Sequence, residues 1–406
     1  MIVSAKIAQR INQTSASQFA AWIVRLSIMV MALGICVMIL SSCLIEGFQR
    51  EISDKIFDFW GHIVVKDSRE SLQSKEFAYN DNDAFIANLK DHSDSNIRHV
   101  QTTLITQGIL KTIDEYEGIA IKGVNQDFDP SFYTKYLIKG NPLDLKDSAQ
   151  ILISKPTAAR LSIDLGDKVL LYFIFNGEQI TRRCTIKGIY STGLEEFDKK
   201  IIYAPIQLVR DAMLLKNKQI NQIEIFVNDI NQVENTVKNI DDNILPMESY
   251  SVTVKEKYPN IFQWLELQNI NKWVILGLMG IVCIFNLATS VLILILERTL
   301  MVAILKTLGA KFSLIRNIFI WQALRILLWG IFWGNLLGLG LAFIQKQYQV
   351  IKLDETNYYL AYAPIYFDWL DIISINVGAL LVTILSTFIP TLLILNIKPS
   401  QALRFQ

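Results

Sequence analysis

Three histidines, His62, His92 and His99, are all the imidazole chemistry this 406-residue sequence offers. None stands in a His-Glu-x-x-His arrangement, and their spacing does not put two ligands on one helical face. Each therefore reads as a solvated or structural residue. Glu195, Glu196 and Asp198 form an acidic cluster, which reads as a wet loop. There is no Gly-x-Ser-x-Gly elbow and no Ser-x-x-Lys site of the usual context. The Gly-x-x-x-x-Gly-Lys-Ser/Thr loop, whose backbone amides would cradle a nucleotide, is also missing. The residues predict a non-catalytic chain that holds no metal or cofactor and does not itself hydrolyse ATP.

The four cysteines carry little chemistry. Cys36, Cys43 and Cys283 fall in apolar runs and Cys184 stands alone in the long polar stretch, so no disulfide can form there. Leu40-Ser41-Ser42-Cys43 has the small-residue pattern of a bacterial lipoprotein cleavage site. A signal peptide, however, has an apolar core of about 7 to 15 residues behind a short basic region. Here the core is about 20 residues long, enough to cross a bilayer, and it begins only after Arg25. Cys43 reads as a membrane-buried thiol.

The elements that position these residues are set by four apolar runs, Trp22 to Ile45, Trp273 to Leu296, Ile318 to Ile344 and Ile372 to Ile397. Each is long enough to span the hydrocarbon at 1.5 Å per residue. They divide one-plus-three around a polar domain, 47–271. The first part is 1–46, an amino terminus and first span; the last is 272–406, the other three spans.

Lys and Arg give the orientation, because cytoplasmic loops retain positive charge. Lys6, Arg10 and Arg25 precede the first acidic residue, Glu46. Arg298, Lys306, Lys311 and Arg316 face Glu297 alone in the link between the second and third spans, and Lys398 and Arg404 mark the tail. The link between the third and fourth spans sets Lys346 and Lys352 against Asp354, Glu355, Asp368 and Asp371. Both termini are thus expected inside and the large domain outside. That domain has 26 basic and 32 acidic residues, a net of −6, so the whole-chain charge of +1 conceals a basic inside and an acidic outside. Nothing in this balance favours nucleic acid.

Within 47–271 the pattern predicts an α+β domain. Phe48, Ile52, Ile56 and Phe59 continue the first span as an amphipathic stalk, and Ile261, Trp264, Leu265 and Leu267 predict a second stalk helix beside it. Strands are expected at 62–65, 104–113, 118–124, 151–154, 168–175, 179–189, 200–203 and 222–227. Helices are expected near 83–89, 157–161, 206–214 and 230–240. Asn176-Gly177 between two strand runs predicts a tight type I′ hairpin.

The most specific local signal is Glu297-Arg298-Thr299-Leu300-Met301-Val302-Ala303-Ile304-Leu305-Lys306-Thr307-Leu308-Gly309-Ala310. Met301, Val302, Ile304, Leu305 and Leu308 can share one side of a short helix, Gly309 suits a left-handed cap, and Ser313 can cap the next helix. By physics alone this is either a rigid docking element or an interfacial helix among headgroups.

This run resembles the coupling helix of FtsX-like permeases of ABC transporters, which seats on a separate ATPase subunit. Gly47-Phe48-Gln49-Arg50-Glu51 and Gly61-His62-Ile63 resemble the signature after the first span of the lipoprotein-releasing (Lol) permeases. Gly123-Val124, Gly166-Asp167, Gly188-Ile189 and Lys398-Pro399-Ser400-Gln401-Ala402-Leu403-Arg404 are similar to later blocks, so the likeness covers essentially the full chain. Met301 replaces an acidic residue common in these permeases, and Ala323 a glycine. At Asn176-Gly177 one member of the lipoprotein-releasing pair has an extended hook that grips a soluble carrier; this chain has a tight turn.

The resemblance implies four transmembrane helices with a MacB-type extracytoplasmic core domain in a bacterial inner membrane. It implies a coupling helix at 297–312 that meets a cytoplasmic ABC ATPase dimer through Arg298, Val302, Leu305, Lys306, Leu308, Gly309, Ala310 and Lys311. ATP and Mg would be bound by that partner. A second permease, identical or related, is implied by the paired ATPases. The cargo would be a membrane lipoprotein or another amphiphile, with a periplasmic carrier as a further possible partner.

Met38, Leu40, Ile45, Phe48, Leu267, Trp273 and Leu276 are the candidates for lining its path, against lipid-facing or core packing for each. Gly330, Gly334 and Gly338 permit close helix approach, between subunits or within one. Asn286, Asn335 and Asn376 are expected to hydrogen-bond between helices. Two other function classes fit the residues: a sibling permease that exports amphiphiles or regulates a cell-wall enzyme, and a membrane-anchored binding or sensory protein without an ATPase.

Overall fold

The first apolar run belongs to a helix, α1, that extends far beyond it, over Gln18–Trp60. At 1.5 Å per residue it is about 65 Å long, roughly twice the hydrocarbon thickness. The extension is held by the apolar repeat that follows the span: Ile52, Ile56 and Phe59 are fully buried. The computed structural model describes residues 18–67, 79–81, 83–91, 94–112, 115–175, 178–215, 218–354 and 358–396. Of the expected features, His92, the Asn176-Gly177 turn, Ile113 and the block 398–404 lie outside them.

The chain divides into two compact units. A membrane unit comprises the described parts of Met1–Arg50, Trp264–Lys352 and Tyr362–Gln406; a head comprises those of Glu51–Gln263 and Leu353–Ala361. Beside α1, the helices of the membrane unit are α2 (Pro259–Glu297), which begins in the head, α3 (Thr299–Thr307), α4 (Phe312–Tyr348) and α5 (Trp369–Asn396). Among the described residues, α1, α2, α4 and α5 are long and apolar enough to cross a membrane.

Small residues decide how closely these helices approach. A Cβ on Gly334 would stand 2.7 Å from Ile35 Cβ, and one on Gly330 would stand 2.4 Å from Met31 Cγ, so α4 lies against α1 along the glycine stripe. The stripe is therefore packing within one chain. Polar side chains tie the same bundle. Asn335 and Asn376 exchange amide hydrogen bonds of 2.8 and 3.1 Å between α4 and α5. Asn286 of α2 donates to the Ser27 carbonyl of α1 at 3.0 Å, and Ser290 meets the Ser27 hydroxyl.

The head contains a ten-stranded sheet. Its strands are β1 (Ile63–Asp67), β3 (Ile97–Lys111), β4 (Tyr116–Val124), β5 (Leu137–Gly140), β6 (Gln150–Ser154), β7 (Lys168–Phe175), β8 (Glu178–Tyr190), β9 (Ile201–Pro205), β11 (Gln222–Val227) and β12 (Ser249–Thr253). A separate pair joins β2 (Tyr79–Asn80) to β10 (Gln219–Ile220). The order is β12-β1-β11-β3-β4-β9-β6-β8-β5, with β7 against β3 and β8. Only β4 with β9 and β6 with β8 run parallel. β7 and β8 pair antiparallel down to Phe175 with Glu178.

The expected strands and helices are present with shifted ends. The sequence reading missed a helix at Ser131–Tyr136 with β5 after it, and β12 with the capped turn Val254–Lys257. These short pieces carry no apolar periodicity of their own. β12 is held instead by its ladder to β1.

Both faces of the sheet are covered. Ile121 and Gly123 of β4 meet the core that includes Val209. On the opposite face Phe59, Phe132, Phe197, Tyr190 and Tyr203 form an aromatic layer with ring centroids 4.7 to 6.4 Å apart. His62 lies at the end of α1, stacked on Phe57 at 4.3 Å, with Nδ1 accepting from the Val227 amide at 3.4 Å.

Burial, and after it the charges of Arg98 and Lys255, lower the pKa of His62 from 6.5 to about 4. The unfolded chain binds a proton below 6.5 that the folded head excludes. Its contribution to stability is thus complete above pH 6.5 and is lost as pH falls to 4, by about 3 kcal/mol. His62→Gln should flatten the fall in melting temperature of the full-length protein across that window; an undiminished fall would assign the acid sensitivity to other groups.

Candidate functional site

The short helix α3 follows Glu297 after a single residue, Arg298, whose carbonyl accepts from the Val302 amide at 3.0 Å. Its end is closed by Gly309 at φ +82. The Gly309 amide donates to the Lys306 carbonyl at 3.1 Å and the Ala310 amide to the Leu305 carbonyl at 2.9 Å. This paired arrangement satisfies the last carbonyls of the helix and turns the chain abruptly into α4. The next helix starts at Phe312 with Lys311 at its cap, extended at φ −65 and ψ 145. Ser313 is therefore inside the first turn and does not cap it: the backbone is already helical one residue earlier.

The apolar residues of α3 do not form a single face. Val302 and Ala303 are fully buried, and Met301, Leu305 and Ala310 pack against the core of the membrane unit. Leu300, Ile304 and Leu308 are exposed, Leu308 by 78%. Spaced four apart, these three align on one side of the helix. Of the candidate coupling residues, Arg298 and Lys306 are half-buried beside that stripe, while Gly309 and Lys311 are exposed at its end. The element is thus gripped on one side and presents an apolar ridge with basic flanks on the other.

The cargo-path candidates differ in burial. Met38 and Ile45 are buried in the membrane unit, Leu40, Phe48 and Leu276 are half-buried, and Leu267 and Trp273 are exposed.

What does converge, midway along α1 and α2 and at the start of α5, is polar. Lys272 of α2 is ion-paired with Asp371 of α5, which accepts from the Ser42 hydroxyl of α1 at 2.7 Å. Glu46 stands 4.0 Å from the same ammonium. The Tyr366 amide donates to the Cys43 carbonyl at 3.0 Å, and a Cβ on Gly47 would stand 2.6 Å from the Pro364 carbonyl oxygen. Arg50 lies over the Tyr366 ring at 3.7 Å and Gln49 donates to the Leu265 carbonyl at 2.8 Å. This middle stretch of α1 is clasped from three directions. In the sequence Lys272 and Asp371 were visible only as charges bounding apolar runs.

Two further polar groups of the head escaped the sequence reading. Lys122 and Glu224 are fully buried and paired at 2.7 Å. Asp198 is also buried, contrary to the wet loop expected of its cluster. It accepts from the Thr192 hydroxyl at 2.7 Å and from the Thr192 and Gly193 amides at 3.0 and 3.2 Å. Burial raises its carboxyl above the usual range, although these bonds and Lys55 pull it down. Among the described residues no group of acidic, histidine and cysteine side chains could hold a metal ion.

Comparisons with known proteins find two family models along the chain. Residues 26–243 match the MacB-like periplasmic core domain, and residues 273–399 match the FtsX-like permease C-terminal family. The lipoprotein-releasing system transmembrane protein LolC of Xylella fastidiosa is 22% identical, over 96% of this chain and 95% of its own length. LolE of Haemophilus influenzae is 22% identical over 94% of each. The periplasmic region of MacB from Actinobacillus actinomycetemcomitans aligns with 49% of this chain and 91% of its own, at 12% identity and a TM-score of 0.35. With the core-domain family spanning more than half of its length and the permease family its last three spans, the chain belongs to the FtsX-like ABC transporter permeases that carry a MacB-like periplasmic core domain.

Proposed function

We propose that the chain is the permease that couples a separate ATPase pair in the cytosol to release of lipoproteins from the inner membrane. The observation that carries this reading is the rigid, one-sided presentation of Leu300, Ile304 and Leu308 on α3. Exposed to water or headgroups, that ridge has no partner within the described residues; seated on an ATPase, it would be buried. The basic flanks of α3 support a cytosolic side for it and for both termini, and the acidic head supports a periplasmic side for the head. Movement of α3 passes to α4 through the tight Gly309 turn, since both ends of that turn are hydrogen-bonded.

Relatives named for lipoprotein release support an acylated cargo. A lipid-anchored substrate also suits spans in which Asn335 bonds to Asn376 and Asn286 to the Ser27 carbonyl. A second permease completes the symmetry of paired ATPases. The test is reconstitution of the full chain with its ATPase and partner permease in vesicles bearing an acylated protein. ATP should release that protein into solution, while a non-hydrolysed analogue should give at most one turnover. Retention of the acylated protein during sustained ATP hydrolysis would remove lipoproteins as the cargo.

A further inference from the structure

The described residues of Leu353–Ala361, in the link between α4 and α5, group with the head, whereas the described chain on either side of them belongs to the membrane unit. The connection is not a slack loop at its base. The Ala363 amide donates to the Ile351 carbonyl at 3.0 Å and the Leu353 amide to the Ala361 carbonyl at 2.9 Å, so the two arms pair as a short antiparallel ribbon. Buried Gln345 of α4 fixes the foot of the ribbon: its Oε1 accepts from the Ile351 amide at 2.9 Å and its Nε2 donates to the Ala363 carbonyl at 3.0 Å.

The tip is seated with equal specificity. Tyr359 adopts φ +60, a left-handed conformation that a bulky residue keeps only where its surroundings hold it. Its carbonyl accepts from Lys55 Nζ at 3.1 Å, and Leu360 beside it is buried. Facing it is Gly193, itself at φ +77. A Cβ there would stand 2.8 Å from Lys55 Nζ and 3.1 Å from the Tyr359 oxygen, so a side chain would have to displace the ammonium and press on that carbonyl, from a backbone conformation that favours glycine. The turn carrying Gly193 is pinned by the three hydrogen bonds to buried Asp198. A left-handed tyrosine, a glycine forced by close approach and a buried carboxylate behind that glycine together form a built seat.

We infer that the described residues of this stretch, 353–354 and 358–361, are a strap that fastens the α4–α5 connection to the head, an attachment additional to the two stalk helices. Its consequence rests on the force-transmitting reading above. α4 starts at the Gly309 turn, so a displacement of α3 has a route to the head along α4 and the strap that bypasses α1 and α2.

Hydrogen exchange on the full-length protein tests the attachment independently of any cargo. The Leu353 and Leu360 amides should exchange slowly in the wild type, and at least tenfold faster in Lys55→Met and in Gly193→Val, with the β4 amides unchanged. Exchange at free-loop rates in the wild type overturns the strap. The consequence is read in the reconstituted complex as acylated protein released per ATP hydrolysed. Either variant should lower that ratio at least fivefold while ATP turnover persists, and an unchanged ratio in both would overturn transmission through the strap. Should the wild type release no acylated protein, the cargo reading fails while the exchange result still decides the attachment.

Discussion

Lys122→Met should destabilise the head by about 3–5 kcal/mol, because it leaves Glu224 charged and buried without its cation. Lys122 and Glu224 both have no exposed side-chain surface. The ammonium donates to the Phe59 carbonyl at 2.6 Å and to Glu224, and it lies 5.0 Å from the Trp60 ring centroid. The carboxylate also accepts from Gln101 and Gln222, each at 2.7 Å. Burial lowers the Lys122 pKa, and Glu224 draws it back up. The pair therefore holds the last turn of α1 to strands β4 and β11, at the junction where the first stalk enters the sheet.

Lys122→Met combined with Glu224→Gln removes both charges, and the amide retains an acceptor and a donor for the neighbouring glutamines. This double variant should recover at least half of the loss. Thermal unfolding of the full chain in detergent, with near-ultraviolet circular dichroism reporting the aromatic layer, measures both. A single variant that melts with the wild type would show that the buried pair holds nothing in place.

The reason this pair was invisible in the sequence is instructive about the rest. Strand alternation puts Lys122 on the face opposite Ile121 and Gly123, and a period of two does not show whether that face is wet or covered. The aromatic layer contributed by α1, Tyr190 and Tyr203 covers that second face. Only the three-dimensional arrangement brings Phe59, distant in sequence, over β4. Asp198 failed for the same reason: a carboxylate in a run of charges looks solvated until the turn it closes is seen.

Where the signal is local, by contrast, the sequence sufficed. Gly309 directly after a helical apolar pattern located the end of α3, and the repeat Phe48, Ile52, Ile56, Phe59 located the stalk. The cargo-path candidates lacked any such signal. An apolar residue in a membrane helix can face lipid, the bundle or a partner at equal cost in composition, so Met38 and Trp273 looked alike and lie in opposite environments.

Ile304→Asp with Leu308→Asp should abolish co-purification of the ATPase and leave the permease folded. Both side chains are exposed, so their replacement opens no cavity. Their loss from a docked ridge removes about 1.5–3 kcal/mol each where fully buried, and two carboxylates would have to be desolvated in the same interface. A deficit of at least about 4 kcal/mol corresponds to roughly a thousandfold weaker association. Val302→Asp makes the contrasting control, since Val302 lies in the membrane core and a charge there should reduce the yield of folded protein.

If α3 were instead an interfacial helix lying among headgroups, the two aspartates would loosen its membrane contact without touching the ATPase. The two readings thus separate on one measurement, the amount of ATPase retained on an affinity-tagged permease in detergent, where no bilayer remains to be contacted. Full retention by the double-aspartate variant would exclude the ridge as the ATPase seat. Loss of the ATPase from a permease that still melts at the wild-type temperature would assign Leu300, Ile304 and Leu308 to the surface through which ATP hydrolysis moves α4.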